Sequence, residues 1–141
     1  MKKVFMALAA FLVSATVFAQ AVAVKKEDPI KFKETSYNFG KIKQGTPVTH
    51  EFVFENVSDK PVTIESATAS CGCTTPIKPE PPIAQGKSDK IVAGFNAAAA
   101  GAFTKSIFIK VAGAETPIEL KITGEVLSAD QFAKQQPVKK G

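Results

Sequence analysis

Residues 117–126 read "PIELKITGEV", with Ile118, Leu120, Ile122 and Val126 alternating with Glu119, Lys121, Thr123 and Glu125. Successive side chains of a strand point to opposite faces, so this stretch presents one oily face and one wet face. A helix would repeat its apolar residues every three to four positions, and here the period is two. The same period runs outward through the chain. "VTHEFVFENV" sets Val48, His50, Phe52 and Phe54 against Thr49, Glu51 and Glu55, and "PVTIESA" sets Val62 and Ile64 against Thr63 and Glu65. "KIVAGFN" offers Ile91, Ala93 and Phe95, and "AFTKSIFIKV" offers Phe103, Ile107, Ile109 and Val111. One earlier strand is expected through Phe32, Tyr37 and Phe39.

Turn-forming segments separate these runs: "GKIKQGTP", "NVSDKP", "KPEPPIAQGKS", "NAAAAGA" and "AGAETP". Asn, Asp, Gly and Pro supply backbone angles that strands refuse. No helical apolar stripe of useful length interrupts the series. Short half-buried strands at this spacing predict an all-β fold, an immunoglobulin-like antiparallel β-sandwich of about seven strands. Its oily faces must meet across about 10 Å. The domain is expected over 30–127, after a flexible lead-in at 20–29 and before a polar tail at 128–141 that is expected to fray.

The chain opens "MKKVFMALAAFLVSATVFAQA". Lys2 and Lys3, the apolar run from Val4 to Val13, and Val17 and Ala19 at the −3 and −1 positions have the layout of a secretory signal peptide cut after Ala19. A membrane span would need about 20 apolar residues, so no membrane insertion of the mature chain is expected. No cysteine stands at the cut, which argues against a lipid anchor. The remaining chain suits one domain and is too short for two. A periplasmic or secreted protein is the expectation. The net charge of +5 falls by two with the leader, and the lysines lie singly among glutamates, so nothing marks a nucleic-acid surface.

Together, "YNFGKIKQGTPVTHEFVFENVSDKPVTIESATASCGCTTP", "PPIAQGKSDKIVAGFN", "AFTKSIFIK" and "PIELKITGEV" resemble the bacterial domain of unknown function 1573. The resemblance runs from about Phe32 to Leu127. It is carried by Phe39-Gly40, the Phe-x-Phe-x-Asn of Phe52 to Asn56, the Ser-Cys-Gly-Cys-Thr block and Gly124-Glu125-Val126. It implies an exported immunoglobulin-like domain, distantly similar to PapD-like and Hydin-type sandwiches, and it implies no activity. Gln85-Gly86 departs from the family's usual Pro-Gly at that turn.

The only cysteines are Cys71 and Cys73, in "SCGCTTP". Two residues of extended chain span about 6.6 Å, near the upper limit of about 6.8 Å for a disulfide. Gly72 is expected to supply the bend that brings them closer. As a staple such a bond would do little, because a three-residue loop removes only ~1.6 kcal/mol of unfolded-chain entropy. Three readings stay open. The pair is an oxidised or idle loop pair, a labile redox disulfide, or two thiolates for a soft ion such as Cu(I). A complete zinc site would normally need four ligands, and the chain has one histidine. Apart from Lys78, no Lys, Arg or His lies close in sequence to lower a thiol pKa.

His50 lies on the oily parity of its strand and is expected to be a hydrogen-bonded rim residue, with a role beside the cysteines as the alternative. Glu34, Glu51, Glu55, Glu65, Glu119 and Glu125 read as a solvated face. No paired carboxylates, nucleophile elbow or phosphate-binding loop is present in the sequence. The expectation is therefore a non-catalytic module without a cofactor. It would meet an unidentified protein partner by edge-strand pairing, the exposed resource of such a fold.

Overall fold

The computed structural model describes residues 27–135, so the leader expected over 1–19 and most of the lead-in lie outside the described residues. The alternating runs form strands β1 (Ile30–Phe32), β2 (Ser36–Lys43), β3 (Val48–Asn56), β4 (Ile64–Ala69), β5 (Thr74–Ile77), β6 (Ser88–Phe95), β7 (Gly101–Val111) and β8 (Ile118–Leu127). They build two four-stranded sheets, ordered β1-β3-β6-β5 and β2-β8-β7-β4. The inward residues are those that the period predicts. Phe52, Phe54, Ile91, Ala93 and Phe95 of the first sheet are buried, as are Ile64, Phe103, Ile107, Ile109, Leu120, Ile122 and Val126 of the second. Each large apolar side chain so buried contributes about 1.5–3 kcal/mol against conformational entropy.

Four expectations change. The early strand is two strands, because the chain leaves the first sheet after Phe32 and enters the second at Ser36. The sequence marks the change only as a break in rhythm. Period two from Ile30 and Phe32 would put apolar residues at 34 and 36, where Glu34 and Ser36 stand, and the apolar positions resume on the other parity at Tyr37 and Phe39. Second, Thr74–Ile77 is strand β5, making eight strands among the described residues where about seven were expected. Pro76 sits in it without penalty because β5 is an edge strand.

Third, the sandwich is not wholly antiparallel: β2 pairs parallel with β8. Only a hairpin enforces antiparallel pairing, and these two strands meet from opposite ends of the domain. Fourth, the described part of the tail is ordered as helix α1, Ala129–Gln135, while 136–141 lie outside the described residues. Ser128 and Gln131 cap it reciprocally. The Ser128 N–H donates to Gln131 Oε1 at 3.1 Å, and the Gln131 N–H donates to Ser128 Oγ at 3.4 Å.

The shared motif residues hold the frame. Asn56 is fully buried, its Nδ2 donating to the Lys60 and Ile83 carbonyls at 2.8 Å each. Its Oδ1 accepts from the Ser58 N–H and hydroxyl, so one side chain sets the whole "NVSDKP" turn. Gly40, at φ 68°, forms the bulge of β2, where its N–H donates to Asn38 Oδ1 at 2.7 Å. Gly124 faces that bulge. A Cβ there would lie 2.8 Å from the Phe103 ring and 2.9 Å from the Gly40 carbonyl, so only glycine fits.

Candidate functional site: the Ser70–Thr74 turn

The Ser-Cys-Gly-Cys-Thr block is the reversal between β4, the edge of one sheet, and β5, the edge of the other. Ser70 fixes its first end: the Ser70 N–H donates to the Ser106 carbonyl at 2.9 Å, and the Ser106 N–H donates to Ser70 Oγ at 3.1 Å. The far end is fixed when the Asn96 N–H donates to the Cys73 carbonyl at 3.0 Å. Between them the Thr74 N–H donates to the Cys71 carbonyl at 3.3 Å, closing a turn with Gly72 and Cys73 at its centre.

This turn brings the Cα atoms of Cys71 and Cys73 to 5.4 Å, and the two are joined as a disulfide. The bend does not need glycine at position 72. The φ of Gly72 lies outside the left-handed region, and a Cβ on it would meet nothing within 4 Å. Both cysteines are half-buried, and Cys73 packs against the core. The hydroxyl of buried Thr74 lies 3.9 Å from each sulfur. With the bond closed neither sulfur is a thiolate, so a Cu(I) site would begin with its opening. Among the described residues no group of three or more His, Cys, Asp or Glu is placed to hold a metal.

Beside the disulfide lies a cleft of about 190 Å³. Cys73, the stacked rings of Phe95 and Phe103 (centroids 4.1 Å apart), the small-residue loop 98–102 and Lys105 line it. Lys105 is a residue that sequence reasoning missed. It is remote from the cysteines in sequence, and no local spacing pairs it with them. The register of β7 on β4, with Ala69 opposite Ile107, brings Lys105 alongside the turn.

His50 is elsewhere. It lies opposite Ala93 of β6, whose other neighbour is Pro76 of β5, so a whole strand separates it from β5 and the cysteine turn. The alternative role beside the cysteines is thereby corrected, because strand order places His50 on the far side of β6. Its Nε2 meets Glu34 Oε1 at 2.7 Å, and its ring stacks on Tyr37 with centroids 3.5 Å apart and planes within 6°. Phe39 and Phe52 stand edge-on to the same ring. The remaining acids expected on the wet face behave so. Glu51 pairs with Lys90, Glu65 with Lys110, and Glu119 with Lys121, all exposed and individually worth little. Among the described residues no helix is long and apolar enough to cross a membrane.

A family model described as "Protein of unknown function (DUF1573)" matches residues 30–126. No curated protein matches the chain. Among solved structures it is similar to a protein of unknown function from Porphyromonas gingivalis W83, with a TM-score of 0.60 and 17% identity. That match covers 68% of this chain and 46% of the other, so this chain spans about half its length. PapD-like domain 7 of human CEP192 gives a TM-score of 0.56 at 10% identity, covering 88% of this chain and 99% of that domain. The Vibrio cholerae VesB protease gives 0.54 at 15% identity, covering 70% of this chain and 32% of the protease. At such identities the likeness is one of fold, and fold does not carry activity with it.

Proposed function

We take as premise that the chain belongs to the DUF1573 family, and we propose that it works as an exported, non-catalytic sandwich that binds a partner polypeptide along β4. The observation that carries this reading is the character of that edge. A sheet edge is a row of unpaired backbone groups, which proteins normally blunt with Lys, Pro, bulges or short length. Among the four edge strands, β1 has three residues, β5 contains Pro76, and β2 carries the Gly40 bulge, Lys41 and Lys43. β4 has a bulge at its start, and then Ser66, Ala67, Thr68 and Ala69 follow with no charge and no proline.

The ladder specifies which groups face outward. The Ser70 N–H bonds inward to Ser106, so alternation turns Ser66 and Thr68 toward β7 and leaves Ala67 and Ala69 facing out. Phe108, opposite Thr68 in register, is 42% exposed on the outer face beside this edge. Ile77, on neighbouring β5, is 62% exposed. An added strand would pair its backbone with β4 and cover Phe108 with an apolar side chain.

The test is capture from periplasmic extract on the full chain, wild type beside Ala67→Pro. Proline at this outward position removes no inward ladder bond. The expected result is a species held by wild type and reduced at least about tenfold by Ala67→Pro, since several backbone hydrogen bonds are lost together. Retention of the same species by both proteins would refute pairing on β4. The mass of the exported chain should place its N-terminus at Gln20, as the leader requires.

A further inference from the structure

We propose that Cys71–Cys73 is a thiol-exchanging disulfide that accepts electrons from a dithiol polypeptide, with the Thr74 hydroxyl as the hydrogen-bond donor to the departing sulfur. Three observations carry this. The bond closes a loop too short to restrain the unfolded chain appreciably, so its contribution to folding is small. It is half-buried in a turn that hydrogen bonds to both sheets hold at each end, so opening it leaves the backbone anchored at Ser70 and Cys73. And Thr74, buried and 3.9 Å from both sulfurs, can turn its hydroxyl to whichever one becomes anionic.

The cleft supplies the approach. Cys73 forms part of its wall, Phe95 and Phe103 offer an apolar floor, and Lys105 places a positive charge beside an incoming thiolate. Lys105 has no ion-pair partner among the described residues.

The exchange balances as follows. The partner's thiolate forms a bond to one sulfur of the pair, the Cys71–Cys73 bond breaks, and its electron pair remains on the other sulfur. Thr74 donates its hydroxyl hydrogen bond to that thiolate. A second thiol of the same partner, once deprotonated, displaces the first sulfur. The partner then leaves as a disulfide, and Cys71 and Cys73 remain as two thiols, having gained two electrons and two protons. A protein disulfide of more oxidising potential reverses these steps and restores the pair. This chemistry does not rest on strand pairing at β4. The assay that tests it contains no protein partner, so either reading fails without the other.

The experiment incubates the full oxidised chain with reduced glutathione across a series of glutathione redox buffers. Trapping by alkylation and intact-mass measurement read the result. The expected outcome is reversible opening with the far-ultraviolet spectrum of the folded protein retained. Thr74→Val, which keeps the shape and removes the hydroxyl, is expected to slow opening about tenfold, the size of one hydrogen bond to a charged sulfur. Thr74→Ser, which keeps the hydroxyl, is expected to restore the wild-type rate to within about threefold. Opening that requires denaturant in the wild type would overturn the proposal outright, whatever the variants do. A folded Thr74→Val that opens as fast as wild type would overturn the role of Thr74.

Discussion

The two flanks of the sandwich are closed in different ways. On one flank β1 passes into β2 through Lys33–Thr35, and on the other β4 turns into β5 through Ser70–Cys73. Both links are tied by backbone hydrogen bonds to both sheets. The Lys33 N–H donates to the Val53 carbonyl and the Lys121 N–H to the Thr35 carbonyl, as the Ser70 N–H does to Ser106 and the Asn96 N–H to Cys73. Their fillings differ. The first flank is packed with Tyr37, Phe39 and His50, locked by Glu34. The second has a covalent bond, a buried hydroxyl and an open cleft. Stacked rings add stability through buried area and contact, whereas a three-residue disulfide loop adds little and can be opened by chemistry. One flank is closed by packed side chains, and the other by a bond that, on the exchange proposed above, opens without the fold coming apart.

The sharpest way to break this comparison is to remove one filling at a time and measure urea denaturation. Tyr37→Ala should cost about 2–3 kcal/mol, since it strips a half-buried ring from a stack on His50 and an edge contact to Phe39. The double variant Cys71→Ser with Cys73→Ser should cost no more than ~1.6 kcal/mol, the ceiling set by loop entropy. If the double variant instead lost as much as Tyr37→Ala, the disulfide would be a staple and the contrast would collapse. Smallest of all, Gly72→Ala should leave the disulfide formed. It should raise stability by about 0.5 kcal/mol, because a Cβ meets nothing there and the unfolded chain loses freedom.

The strands were legible because burial imposes a period of two, and Leu120, Ile122, Phe52 and Phe54 obey it without exception. The change of sheet between Phe32 and Ser36 left only a break in the rhythm, four polar residues at 33–36 and a switch of parity, which a turn within one sheet would leave as well. β5 was hidden by Pro76 and the glycine beside the cysteines, which locally argue for a turn. The helix at the end did leave a trace: Ser128 and Gln131 stand at capping-box spacing ahead of Phe132. As for the site, its two sulfurs were plain in the sequence. Lys105, Phe95 and Phe103 were not, since strand register rather than chain proximity assembles them.

The parallel pairing of β2 with β8 governs when this molecule can finish folding. β8 lies between β2 and β7, so until residues 118–127 are delivered, β2 has no neighbour in its own sheet. The partners Ser36 and Lys121 are brought together from nearly opposite ends of the domain, a long loop to close before any reward. An emerging chain therefore carries an unmatched strand and half an oily interior until its last strand arrives. The final ten-residue strand thus decides the timing of assembly for residues synthesised about eighty-five positions earlier.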